Sequence, residues 1–128
     1  MKKMKILLIE DSKFQRVANE RALIKAGYGV INAVDGEEGL RIARKNIPDL
    51  ILLDMMLPNM SGTDVLSALK QDPSTRDIPV FVLSSLSQKN EARLLRAGAA
   101  GYFEKSNTFM EHNFASLVAS VDNCKASR

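Results

Sequence analysis

Short unbroken apolar runs alternate along the chain with segments whose apolar residues recur every three or four positions. Ile6-Leu7-Leu8-Ile9, Leu50-Ile51-Leu52-Leu53 and Val80-Phe81-Val82-Leu83 carry no polar residue. Such runs suit strands covered on both faces, where alternation with polar residues is lost. Pro79 leads into the third run, at the start of a strand where proline is tolerated. Val30-Ile31-Asn32-Ala33 is a weaker run, and Gly101-Tyr102-Phe103 reads as a strand mainly by its position.

The intervening segments carry helix starts. Ser12 stands three residues before Gln15 and Asp35 three before Glu38, the spacing of a capping box, with Asp in place of the usual Ser or Thr in the second. Ser61 opens a third helix, with Val65, Ala68 and Leu69 on one side. Ser87 is expected to cap a fourth, and Gly98 marks its end, suited to the left-handed residue after a helix. Met110, Phe114, Leu117, Val118 and Val121 form the apolar stripe of a last helix, which is read as core. Five rounds of strand then helix predict an α/β fold: a parallel sheet with helices on both faces.

A length of 128 residues suits one domain with a single unstapled core. Cys124 is the only cysteine, so no intramolecular disulfide can form, which fits a reducing cytoplasm. Eighteen basic and fifteen acidic residues leave a net charge of +3, too small an excess to argue for nucleic-acid binding. The basic start Met1-Lys2-Lys3-Met4-Lys5 leads into an apolar run that stops at Glu10-Asp11, too soon for an export or membrane segment. A cytoplasmic domain with no membrane insertion is expected.

In a fold of this class, ligands sit beyond the carboxyl ends of the strands, where the strand order reverses. Glu10 and Asp11 follow the first strand, Asp54 the third, Ser84 and Ser85 the fourth, and Lys105 the fifth. Any one of these alone is an ordinary loop acid, turn hydroxyl or surface lysine. Together they place three carboxylates, a hydroxyl and an ammonium group on one edge. Carboxylates held close together repel, and a hard divalent cation such as Mg²⁺ relieves that repulsion with oxygen ligands. A carboxylate can attack phosphorus to give an acyl phosphate. Lys105 and Mg²⁺ would neutralise the transferring oxygens and Ser84 would donate a hydrogen bond to one. Ser85 and His112 are assigned no role, and His112 falls on the last helix, away from this edge.

Four stretches in order resemble the receiver domains of two-component response regulators, including single-domain forms like the chemotaxis regulator. They are Ile6-Leu7-Leu8-Ile9-Glu10-Asp11, Leu52-Leu53-Asp54-Met55-Met56-Leu57-Pro58-Asn59-Met60-Ser61-Gly62, Val82-Leu83-Ser84-Ser85, and Ala97-Gly98-Ala99-Ala100-Gly101-Tyr102-Phe103-Glu104-Lys105. The resemblance runs from about Met4 to Val121. It implies a flavodoxin-like, doubly wound, five-stranded parallel sheet in the order 2-1-3-4-5 with five helices. It implies that residues 1–128 form one receiver domain, the last few fraying or leading to an output domain outside the chain.

The resemblance also implies roles. Asp54 matches the phosphoacceptor. Asp11 matches a direct Mg²⁺ ligand, Glu10 one acting partly through water, and Met56 the position whose backbone carbonyl also binds the metal. Ser84 matches the switch hydroxyl, Lys105 the lysine that contacts the phosphoryl group, and Tyr102 the aromatic that turns inward with the switch. The implied donor is a histidine kinase or a histidine phosphotransfer domain, the downstream effector is unnamed, and a homodimer is compatible. One residue departs from the family: Ser106 follows Lys105 where proline, joined by a cis bond, is usual. A cis bond before a non-proline residue costs about 3–4 kcal/mol, so a trans Lys105–Ser106 bond is expected.

Other chemistries fit less well. A haloacid-dehalogenase-type phosphohydrolase needs a carboxylate two residues after the nucleophile, and Met56 cannot transfer a proton. A nucleotide- or flavin-binding enzyme needs a glycine-rich turn, whereas the first turn here is Glu10-Asp11-Ser12-Lys13. No recognition-helix motif, zinc ligand set or aromatic-basic platform points to direct nucleic-acid binding.

Overall fold

The computed structural model describes residues 4–55, 57–84 and 91–104. Five strands and four helices alternate: β1 (Lys5–Ile9), α1 (Lys13–Lys25), β2 (Gly29–Ala33), α2 (Gly36–Asn46), β3 (Leu50–Asp54), α3 (Gly62–Gln71), β4 (Val80–Ser84), α4 (Glu91–Arg96) and β5 (Gly101–Glu104). The strands form one sheet in the order β2-β1-β3-β4-β5, every neighbouring pair parallel. This is the flavodoxin-like order that the resemblance implies. The expected fifth helix, Ser87, His112 and Cys124 lie outside the described residues, as does the Lys105–Ser106 bond.

The apolar runs form strands because each residue meets a core, whichever way it points. Leu7, Ile9, Ile51, Leu53, Val80 and Val82 belong to one buried cluster with Leu40 and Ala43 of α2, Val65, Leu66 and Leu69 of α3, and Leu94 of α4. Ile6, Leu8, Leu50, Leu52, Phe81 and Leu83 belong to a second cluster with Leu23 of α1. Alternate residues of a strand thus feed opposite clusters, and a polar residue on either face would lose its water. Complete burial of Leu7, a medium-sized apolar side chain, is worth about 1.5–3 kcal/mol over exposure.

The helix ends follow the local chemistry. Ser12, Asp35 and Ser61 each accept a backbone N–H three residues on, from Gln15 (3.4 Å), Glu38 (2.8 Å) and Asp64 (3.2 Å). The Glu38 carboxylate also reaches back, to the N–H of Val34 rather than of Asp35. Gly98 takes a φ of 113° after α4, and Ala99 N–H donates to Leu94 O while Gly98 N–H donates to Leu95 O. That is the Schellman arrangement, and Gly27 (φ 101°) ends α1 with the same two bonds, a feature the apolar pattern did not mark. Among the described residues, no helix is long and apolar enough to cross a membrane.

Candidate functional site at the strand carboxyl ends

The strand order reverses between β1 and β3, because β2 lies on one side of β1 and β3 on the other. In β1 and β3, Ile9 is in register with Leu53. The next residues, Glu10 and Asp54, therefore sit side by side on adjacent backbones about 5 Å apart. Both are buried, Glu10 at 0% exposure and Asp54 at 3%. Asp54 and Ser84 are the last residues of β3 and β4 rather than the first residues beyond them, a difference of one position. Asp11 follows Glu10 and is exposed.

The surrounding backbone is held closely. Glu10 N–H donates to Ala33 O at 3.0 Å, which extends the β1–β2 ladder one residue beyond the strand. Met55 N–H donates to Leu83 O at 3.0 Å, so the residue after Asp54 is still tied to β4. Gly62, the first residue of α3, donates its N–H to Met55 O at 3.1 Å. A Cβ there would stand 2.6 Å from Met55 Cα and 2.9 Å from Asp54 O, so only glycine lets α3 start against the end of β3. Asn59, at φ 66°, supplies the left-handed residue that turns the intervening loop, a conformation asparagine tolerates.

Tyr102 pairs with Val82 across β4 and β5, is half-buried, and packs against the cluster that contains Val80 and Val82. Ser84 is in register with Glu104. Lys105 and Met56 lie outside the described residues. The structure thus brings Glu10 and Asp54 together, puts Asp11 beside them, and ends β4 next to β3 with Ser84. Among the described residues, no three His, Cys, Asp or Glu side chains form a ready-made metal cage. The donor set still fits Mg²⁺, which takes one or two carboxylates and completes its shell with water and phosphate oxygens. Two buried acids on adjacent strand ends are the arrangement a hard cation stabilises.

Sequence reasoning passed over two residues near this edge. Arg16 turns back from the first turn of α1, and its Nη1 donates to the carbonyls of Glu10 (3.1 Å) and Asp11 (3.4 Å). Phe14 is 84% exposed on the same turn, in a shallow groove with Lys13, Val17, Ala18 and Arg21. The available signal was charge: α1 has no acid in its first turn and carries Lys13 and Arg16 at its positive pole, opposite to the usual preference.

Comparisons with known proteins agree with this geometry. Residues 6–113 match the family model described as the response regulator receiver domain. A gliding motility regulatory protein of Myxococcus xanthus is 41% identical over 112 residues, which span 86% of this chain and 14% of that protein. The polar-differentiation response regulator DivK of Brucella anthropi is 34% identical over 101 residues, 78% of this chain and 82% of that one. The crystal structure of the N-terminal domain of a response regulator receiver protein from Methanoculleus marisnigri is 34% identical with a TM-score of 0.75, covering 89% of this chain and 92% of that chain. The chain therefore spans nearly the length of some relatives and a small part of others.

Proposed function

Given that the chain belongs to the family of response regulator receiver domains, whose place is in phosphorelay signalling, we propose that it accepts a phosphoryl group on Asp54 in a Mg²⁺-dependent reaction and switches conformation in response. The observation that carries this reading is the buried pair at the reversal point, Glu10 beside Asp54 with exposed Asp11 adjoining. One oxygen of the Asp54 carboxylate attacks phosphorus, the bond from phosphorus to the donor nitrogen breaks, and an acyl phosphate remains on β3. Glu10 and Asp11 would hold Mg²⁺, together with Asp54 and, as the family resemblance implies, the backbone carbonyl of Met56. When bound, Mg²⁺ offsets negative charge on the phosphoryl oxygens.

Asp54 is the last residue of β3, buried at 3% exposure and in register with Leu83 of β4. Lys105 neutralises a phosphoryl oxygen, and Ser84 donates a hydrogen bond to another. Movement of Ser84 toward the phosphoryl group makes room for Tyr102, which is already packed at the edge of the core. The donor is the phosphohistidine of a histidine kinase or a histidine phosphotransfer domain. Like its family, the chain is a signalling phosphoacceptor rather than an enzyme that turns over a substrate. Incubation with acetyl phosphate and Mg²⁺ should add one phosphoryl mass to the wild type and none to Asp54→Asn, and EDTA should suppress the adduct. An equal adduct on Asp54→Asn, or one indifferent to EDTA, would refute the proposal.

A further inference from the structure

Arg16 is placed where helix electrostatics disfavour it. It lies in the first turn of α1, a helix with no acidic residue there, so its charge faces the positive pole. Its backbone is fixed by the first helical bond, Arg16 N–H to Ser12 O at 2.8 Å. From that anchor the guanidinium turns back past the cap and donates from one nitrogen to two successive carbonyls, Glu10 O at 3.1 Å and Asp11 O at 3.4 Å. Glu10 is then held on both sides, its N–H by Ala33 O on β2 and its carbonyl by Arg16 on α1. Fixing two consecutive carbonyls fixes the peptide planes between them, and so the directions in which the Glu10 and Asp11 side chains leave the chain.

We infer that Arg16 is a positioning residue for the acidic pair, which sets the affinity for Mg²⁺ by bonding the main chain that carries both carboxylates. The inference rests on the reading above that Glu10 and Asp11 hold Mg²⁺. Charge and geometry make opposite predictions. Removing a cation beside a Mg²⁺ site should tighten metal binding by Coulomb's law. Removing the bonds that orient metal ligands typically weakens it about 10- to 100-fold. Geometry should win here because the guanidinium is partly solvated and its charge screened, while the two carbonyl bonds are local and direct.

The test is calorimetric Mg²⁺ titration of the metal-stripped full chain, for wild type, Arg16→Met, Arg16→Lys and Asp11→Ala. Circular dichroism melts establish that each is folded. Arg16→Met should weaken Mg²⁺ binding about 10-fold. Arg16→Lys keeps the charge but loses the planar fork, and should fall between Met and wild type. In phosphorylation by acetyl phosphate, the half-saturating Mg²⁺ should rise by the same factor, while the rate at saturating Mg²⁺ returns to within about twofold of wild type. A general structural defect would lower the saturated rate instead. Unchanged or tighter binding in Arg16→Met, with Asp11→Ala still impaired, overturns the role of Arg16 and leaves the metal site standing. If Arg16→Met does not fold, Arg16→Lys decides the matter, and wild-type affinity in it overturns the inference. Wild-type affinity in Asp11→Ala overturns both readings.

Discussion

Replacing Gly62 with alanine should destabilise the domain, against the direction that helix propensity alone predicts. Alanine in place of a helical glycine is ordinarily favourable by about 1 kcal/mol. At Gly62 the added Cβ would stand 2.6 Å from Met55 Cα, 2.8 Å from Met55 Sδ and 2.9 Å from Asp54 O. The sulfur can swing away, but the other two atoms are main chain held by the Met55 N–H bond to Leu83 O and the Gly62 N–H bond to Met55 O. Forcing α3 and the end of β3 apart costs about 1–3 kcal/mol on the scale of overpacked cores. Less the propensity gain, which is small at a first helical residue, the net loss is about 1–2 kcal/mol. For a domain of this size that is a fall of about 5 °C in melting temperature. Gly29→Ala is the control, since its nearest neighbour is Met4 O at an ordinary 3.8 Å. Thermal and urea denaturation of both variants give the comparison. A Gly62→Ala protein as stable as wild type would show that α3 does not start against the backbone of Asp54 and Met55. Because that backbone carries Asp54, the same variant should also be phosphorylated more slowly by acetyl phosphate at saturating Mg²⁺.

Other variants probe separate parts of the account. Ile47 ends α2 with φ 44° and ψ 68°, a left-handed conformation that a β-branched residue adopts at a cost of about 1–2 kcal/mol; Ile47→Asn should raise the urea midpoint, and a fall would contradict the strain. Hydrogen bonds from the Ser74 N–H and hydroxyl, and then from Arg44, hold the Asp72 carboxyl below its ordinary pKa. A depressed pKa gives stability that is present above the ordinary carboxylate value and lost as pH falls through the depressed one. Asp72→Ala should therefore be less stable than wild type at pH 7, with the gap closing in acid, and a gap that widens below pH 4 would contradict this. Mg²⁺ should raise the melting temperature of the wild type, by linkage about 2.7 kcal/mol at a hundred times the dissociation constant, and EDTA should reverse it; Asp11→Ala should lose more of that rise than Glu10→Ala, and equal losses would count against Asp11 as the direct ligand.

The strands were legible because burial on both faces leaves an unbroken apolar run, and Ile6–Ile9, Leu50–Leu53 and Val80–Leu83 all became strands. The caps at Ser12, Asp35 and Ser61 were legible because their oxygens act three residues on, within the reach of a local pattern. Glu10 and Asp54 could be placed at one edge because each follows an apolar run read as a strand of a parallel sheet, and the β1–β3 register then set them side by side. What the pattern could not carry was the depth of burial, which separates Glu10 at 0% exposure from its exposed neighbour Asp11. The Glu10 N–H bond to Ala33 O of β2 is likewise made outside the local segment. Arg16 was missed for a related reason: its partners are main-chain carbonyls, which every residue has, so nothing in its neighbours' side chains announces the contact. The close approach at Gly62 is likewise a fact of helix against strand, invisible until both are placed.

The central claim is that the phosphoryl group resides on Asp54. Borohydride reduces an acyl phosphate on aspartate to homoserine, which leaves a permanent mark in the peptide. The measurement is to phosphorylate the wild type with acetyl phosphate and Mg²⁺, reduce it, digest it and sequence the peptides by mass spectrometry. Homoserine at position 54 and at no other aspartate is the result expected. Homoserine at Asp11 or elsewhere, or a stable phosphate on a serine or on His112 with Asp54 unmodified, would contradict the account.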